Sequence, residues 1–361
     1  MKPIYVSATV QDSGKTSLSL GLMQVLHTRG LNPGYCKPVG QHYVNYHEHY
    51  IDEDAVLVHK IFDMVDDPYC LSPIAVKRGF TREFIYNPNV APLEKEIVDC
   101  AGKLEENHPM LIIEGTGHAG VGSCFSLSNA RVAELIGTKV IIVTSGGIGK
   151  PIDEVALNMS LFKHHDVEVL GVVLNKVLES KYEKITETVR KGLENIGTRL
   201  IGSIPYVPEL TYFKVAQLVE KFDFEVLSGS EALSNRIEHI IVSAMQPEKA
   251  KEYIRDNTLV IIPGDRPDNI RATAEGLNGY GRANGAIILS GKPELDEDLR
   301  DFLEESGIPV LSSGEDTFTI SSKMVDLEFK IRSFDNDKIQ ILRDLSEKYV
   351  DIEYILDALS E

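Results

Sequence analysis

One segment limits this chain more than any other. Ser7-Ala8-Thr9-Val10-Gln11-Asp12-Ser13-Gly14-Lys15-Thr16-Ser17 follows an apolar run, Pro3–Ala8, and opens a helical pattern, Thr16–Arg29. A strand, a loop ending in Gly-Lys-Thr and a helix make a phosphate-binding loop. Backbone N–H groups wrap the phosphates in such a loop, and the helix dipole favours the anion. Lys15 is expected to reach the β- and γ-phosphates, and the Thr16 hydroxyl to ligate Mg²⁺. Thr9 stands where the first glycine of the usual GxxxxGK[ST] pattern falls. The competing reading is a chance Gly-Lys-Thr at an ordinary helix start.

The rest of the first 210 residues fits that opening. Further apolar runs, Gly34–Val39, Met110–Glu114, Lys139–Thr144, Val167–Asn175 and Leu200–Pro205, lack strict alternation and suit strands buried on both faces. Helical patterns alternate with them: Asp52–Met64, Leu93–Glu106, Ile152–Lys163 and Lys184–Ile196. The expected fold is α/β, a parallel sheet covered by helices. Pro205-Tyr206-Val207-Pro208 ends the series, so the domains are read as 1–210 and 211–361. The second is a smaller α/β domain with expected strands Leu259–Pro263, Ala286–Leu289 and Pro309–Leu311. Its expected helices are Asp268–Gly276, Asp296–Ser306 and, at the C-terminus, Lys338–Leu359.

Composition narrows the function classes. The net charge of −18 divides into −5 over residues 1–210 and −13 over 211–361. Such a field repels nucleic acid and anionic membranes. No apolar run is long enough to span a bilayer, and the N-terminus lacks a secretory signal pattern. Cys36, Cys70, Cys100 and Cys124 form no CxxC pair, as expected of free thiols in a reducing cytosol. A cytoplasmic protein without nucleic-acid or membrane partners is the expectation.

The motifs recur in the order of a known family. Ala8–Thr16, Gly34-Tyr35-Cys36-Lys37-Pro38-Val39, Asp52-Glu53-Asp54-Ala55, Ile112-Ile113-Glu114-Gly115-Thr116-Gly117, Leu174-Asn175-Lys176 and Ile204-Pro205 resemble the motifs of dethiobiotin synthetases. The resemblance implies ATP and Mg²⁺ as cofactors. It implies nucleotide contacts from Thr9, Ser13, Gly14, Lys15, Thr16, Ser17 and Asn175, with Asn175 on adenine. It implies a Mg²⁺ shell of Thr16, Asp54 and Glu114, and catalytic roles for Lys15 and Lys37 on phosphate oxygens. A carboxylate at the end of an apolar strand, as Glu114 is, independently points at the ligand crevice of a parallel sheet. A structural Lys37–Glu114 ion pair is the alternative. The substrate side departs from the family: Gly40-Gln41-His42 and His118–Cys124 stand where it has other residues.

Residues 211–330 resemble a DRTGG domain, carried by Ala244–Ala250 and Leu259–Asp268, with Asp265-Arg266 kept from the naming motif. The pairing is that of the N-terminal region of long bacterial phosphotransacetylases. Their acyltransferase domain has no counterpart before Glu361, so the chain is not expected to be a phosphotransacetylase on its own. Two functions follow as expectations. One is an ATP/Mg²⁺-binding protein with slow ATPase activity, a regulatory or assembly DRTGG domain and a homo-oligomeric state. The other is an ATP-dependent ligase or synthetase acting on a small carboxylate- or amine-bearing metabolite, similar to dethiobiotin or cobyrinic acid diamide synthetases. Three features stay open between a structural and a functional reading: the histidines His42, His47, His49 and His59, read as a solvated loop or a metal or substrate contact; the second glycine-rich turn Ser145–Pro151; and Gly264-Asp265-Arg266, read as a turn or an anion site.

Overall fold

Strand β1 (Ile4–Ala8) is buried along its whole length because it lies at the middle of a sheet with neighbours on both sides. The computed structural model describes residues 1–279, 284–325, 327 and 329–360. The sheet adds β2 (Gly34–Cys36), β3 (Leu111–His118), β4 (Lys139–Ser145), β5 (Val169–Val177) and β6 (Leu200–Pro205). Its order is β6-β5-β4-β1-β3-β2, and every pairing is parallel. Helices α1 (Lys15–Thr28), α2 (Glu53–Ile61), α3 (Ala91–Asn107), α4 (Asn129–Ile136), α5 (Gly149–His164) and α6 (Tyr182–Asn195) connect the strands. The strand order reverses direction at β1, which opens a ligand crevice beyond the carboxyl ends of β1, β3 and β4.

Strand β3 runs four residues past the expected Glu114. Asn129, at the start of α4, holds that extension. Its amide donates to Thr116 O (2.8 Å) and His118 O (2.6 Å) and accepts from Thr116 N and the Tyr5 hydroxyl. Residues Tyr43–Tyr46 and His49–Asp52, expected as a loop, pair as an antiparallel hairpin.

The second unit, Val207–Lys330, has its own sheet. Strands β7 (Glu225–Ser228), β8 (His239–Val242), β9 (Thr258–Pro263), β10 (Ala286–Ser290) and β11 (Val310–Ser312) lie in the order β7-β11-β10-β9-β8. Only the β7–β11 pair is antiparallel among them. Successive residues serve opposite faces, as a strand's two-residue period requires. Leu259 and Ile261 join a core with α7 (Val215–Phe222) and α10 (Thr317–Val325). Val260 and Ile262 join another with α8 (Pro267–Asn278) and α9 (Glu297–Ser306).

The C-terminal segment corrects the expected domain extent. The anticipated helix Lys338–Leu359 is two helices, α11 (Asn336–Tyr349) and α12 (Ile352–Ser360), and Ile331–Glu361 groups with Met1–Tyr206 and not with the second unit. Val350 forms an antiparallel bridge to Gly202, and Asp351 N donates to Ile201 O (2.8 Å), which interrupts the helix and closes part of the β6 edge. Helix α11 packs closely on α1 at Gly21, where an added Cβ would lie 2.0 Å from Ser346 Oγ and 2.7 Å from Leu342 O. Lys2 N donates to Leu359 O (2.9 Å) and Lys139 Nζ to Ala358 O (2.8 Å).

A stability prediction follows. Ile339, Leu342, Val350, Ile352, Ile355 and Leu359 are buried, each contributing roughly 1.5–3 kcal/mol before the cost of ordering the chain. A 1–210 fragment is therefore expected to melt well below the same fragment joined through a flexible linker to residues 331–361. Equal melting temperatures by circular dichroism would show that the first sheet needs no such cover.

Candidate functional site

The loop between β1 and α1 is held from below by side chains of the neighbouring strands. Thr9 N donates to Val143 O (2.9 Å), which continues the β1–β4 ladder by one bond. The Thr9 hydroxyl donates to Glu154 Oε2 (2.9 Å) and lies 3.1 Å from Thr144 Oγ1. A threonine fits here because its backbone is not left-handed and its hydroxyl is fully used. Glycine is needed instead at Gly14, where φ is +98° and an added Cβ would lie 2.0 Å from Asn175 Nδ2. Asn175 Nδ2 donates to Ser13 O (3.0 Å), and Lys176 Nζ to Asp12 O (2.9 Å). Ser13 turns its hydroxyl back onto Val10 O (3.0 Å).

Helix α1 starts at Lys15 with no side-chain cap and no acidic residue in its first turn. Its leading N–H groups therefore face the loop with their partial positive charge uncompensated. Ser17 sits in the same turn, half-buried. Lys15 is buried, and among the described residues it forms no salt bridge. Burial lowers its pKa, against the upward pull of Glu114.

A second cluster lies against the loop. Lys37 follows β2. Its ammonium bonds to Asp54, lies 3.0 Å from Asp52 Oδ1 and 3.7 Å from Glu114 Oε1. Asp52 ends the hairpin and caps α2, accepting from Asp54 N (3.0 Å). Glu114 sits on β3 opposite Val6 of β1. It accepts from the Thr16 hydroxyl at Oε1 (2.7 Å) and from the Tyr35 hydroxyl at Oε2 (3.1 Å). Burial raises the Glu114 pKa, while Lys37, Thr16 and Lys15 oppose the rise. For Lys37 burial acts to remove the proton, but Asp54, Glu114 and Asp52 outweigh it and hold the pKa above the ordinary lysine range.

The structure thus brings Lys15, Thr16, Lys37, Asp54 and Glu114 together. It arranges two of the expected residues differently. Asn175 braces the loop: Nδ2 donates to Ser13 O (3.0 Å) and Oδ1 accepts from Lys176 N (2.9 Å), leaving one N–H and one lone pair of the amide. Asp54 is engaged by Lys37. Among the described residues no group of three or more His, Cys, Asp or Glu is placed to hold a metal. The Thr16 and Glu114 oxygens remain as a pair. They are hard oxygen donors side by side, 2.7 Å apart, of the kind Mg²⁺ takes together with water and phosphate, so these two residues would hold it.

Asp52, Tyr35, Glu154 and Lys176 are participants that sequence reasoning missed. Asp52 carried a signal, an aspartate immediately before a helical run. Each of the three open features has partners within the protein. His47 and His59 have ring centroids 6.3 Å apart, and His59 Nδ1 lies 3.1 Å from the Tyr46 hydroxyl. Ser145–Pro151 leads into α5, where exposed Lys150 pairs with Glu154 at 3.6 Å. Arg266 pairs with Asp268 on the surface.

A parallel sheet with a Gly-Lys-Thr loop at its central strand defines a P-loop NTPase-like domain. The chain belongs to the AAA domain family, whose match spans residues 2–213, and residues 217–327 form a DRTGG domain. Similar proteins include phosphate acetyltransferases of Pseudomonas putida and Nitratidesulfovibrio vulgaris. The first is 25% identical over 98% of this chain and 51% of its own length. The second is 26% identical over 96% and 50%. The chain spans about half the length of the curated relatives it matches. Both the P-loop–DRTGG order and these relatives agree with the resemblance to long phosphotransacetylases. Among solved structures, the MinD cell division protein of Aquifex aeolicus aligns with 58% of this chain and 84% of its own, at 16% identity and a TM-score of 0.39. The CBS and DRTGG region of Clostridium perfringens pyrophosphatase aligns with 37% and 60%, at 17% identity and a TM-score of 0.27. No helix among the described residues is long and apolar enough to cross a membrane.

Proposed function

We propose that the first unit binds ATP with Mg²⁺ and hydrolyses it slowly, and that the DRTGG domain serves regulation or assembly in a cytoplasmic homo-oligomer. The observation that carries this reading is Lys15. A buried ammonium without a carboxylate partner, beside uncapped helix N–H groups, is costly unless an anion arrives. A nucleotide's β- and γ-phosphates supply that anion. Thr16 and Glu114 would hold Mg²⁺, which neutralises phosphate charge when bound. Asn175 and Lys176 engage the loop carbonyls of Ser13 and Asp12, which would otherwise be free to face the phosphates. The charge of −18 disfavours nucleic acid and anionic membranes as partners.

One observation favours the ligase or synthetase reading. Lys37 is a second buried cation beside the loop, tied to three carboxylates, and simple nucleotide sensing does not require it. Its ammonium would steady a phosphoryl group passing to a small carboxylate or amine. Steady-state ATP turnover with and without panels of small carboxylates and amines separates the two. Turnover that rises with one metabolite supports ligation, and turnover indifferent to all supports hydrolysis.

Glu114→Gln tests the metal assignment. The change keeps the shape and removes the charge, so the gain in nucleotide affinity from Mg²⁺ is expected to shrink by roughly tenfold or more. Metal-free binding is expected to survive. Identical Mg²⁺ titrations of the two proteins by calorimetry would make Glu114 structural.

A further inference from the structure

Away from the phosphate loop, the seam where the C-terminal segment meets β6 holds a cleft of about 370 Å³ with an adjoining recess of about 160 Å³. Its floor is β6 from Leu200 to Ser203, one wall is α6, and the other is Lys348–Tyr354. The floor is finished with polar contacts. The Tyr182 hydroxyl donates to Ser203 O (2.5 Å), and Thr186 Oγ1 lies 2.7 Å from Ser203 Oγ. The volume lies within the range of small-molecule sites.

The charges around the cleft are unbalanced in a specific way. Arg190 on α6, Arg199 just before β6 and Lys348 at the end of α11 line it. None of the three forms a salt bridge or a side-chain hydrogen bond among the described residues. Two carboxylates share the lining: Glu194 pairs with Lys191 (3.0 Å), while Asp351 keeps its charge and accepts from Tyr354 N (3.0 Å). Arg199 and Lys348 lie over the rings of Tyr354 (4.4 Å) and Tyr349 (4.9 Å). Cation–π contact fixes a cation's position without neutralising its charge. In a chain of net charge −18, three exposed cations without a salt bridge come from three separate elements to this seam, Arg190 lining both cleft and recess, Arg199 the recess and Lys348 the cleft.

We propose that this cleft binds a small phosphate-bearing metabolite at a site separate from the nucleotide loop. The guanidinium groups of Arg190 and Arg199 match phosphate oxygens, and Lys348 adds a third charge from the opposite wall. A ligand held by both walls joins α6 to the C-terminal segment. Its binding therefore stabilises the closure of residues 348–354 over the β6 edge.

The test uses the full chain carrying Lys15→Ala, which removes the loop's own phosphate contact, and inorganic pyrophosphate as the probe. Calorimetry is expected to show that pyrophosphate still binds to this variant. Adding Arg190→Gln and Arg199→Gln is expected to weaken that binding about tenfold or more. Lys348→Gln alone, an exposed change, is expected to weaken it by a smaller factor. Amide hydrogen exchange at Val350–Tyr354 is expected to slow when pyrophosphate is added. Loss of all pyrophosphate binding in Lys15→Ala, or affinity within twofold after the arginine changes, overturns the proposal. Loop binding of ATP by the parent chain, measured alongside, reports on the nucleotide reading independently.

Discussion

Lys15→Ala is expected to weaken ATP binding about 100-fold, because it removes a charge-assisted contact of roughly 2–3 kcal/mol. The same change is expected to leave the fold at least as stable. Lys15 is buried without a salt bridge, and its pKa is lowered by that burial. The native state therefore bears a cost that alanine lifts. Loss of binding with retained stability is the signature of a residue placed for a ligand. Calorimetry with ATP and a denaturant melt on the same preparation measure both. Unchanged affinity would remove the nucleotide assignment, and a large loss of stability would make Lys15 part of the core.

Lys37→Met is expected to show the opposite pattern, a loss of about 3–5 kcal/mol of stability, since it strands buried Asp52, Asp54 and Glu114 without their shared counter-ion. The deficit should depend on pH. Lys37, with its pKa raised, contributes its stability at all pH values below the alkaline range and loses it only as pH climbs through that range. Glu114 also has a raised pKa, so the native state holds its proton more tightly than the unfolded chain does. Stability from that group falls as pH rises through the folded pKa. Without Lys37 the rise is larger, and protonation of Glu114 relieves more of the stranded charge. The gap between variant and parent is therefore expected to be widest around neutral pH and to narrow on the acid side, as Glu114 takes up its proton. Denaturant melts at neutral and at acid pH check it. A gap independent of pH would mean that Lys37 acts by packing alone.

These two lysines also mark what the sequence disclosed. Lys15 was legible directly, because a strand, a Gly-Lys-Thr and a helix occur within a short span and need no distant partner. Lys37, Asp54 and Glu114 were legible only through ordered motifs that resemble a family. Nothing in their spacing says that one ammonium meets three carboxylates. Tyr35 left no trace, since a buried tyrosine in a strand reads as core. The hairpin Tyr43–Asp52 reads as a loop in the sequence because its turn, His47-Glu48, adopts φ of +47° and +66° without the Asn-Gly or Asp-Gly that usually marks such a turn. The C-terminal segment reads in sequence as one helix, Lys338–Leu359, of the second domain, whereas it forms two helices that group with the first unit. An apolar stripe states that a helix must be covered and is silent about which sheet covers it.

That return of the chain has a consequence for how the molecule is made. The stretch that bridges Gly202 and packs on Gly21 leaves the ribosome after the whole of Val207–Lys330. The first sheet is thus begun early and finished late, with its β6 rim and the outer side of α1 bare throughout synthesis of the second unit. Domains emerging from the ribosome generally fold in order. Here the DRTGG domain can reach its native state before the nucleotide domain ahead of it is sealed. The order of synthesis therefore leaves the first unit without its last cover after the second unit is complete.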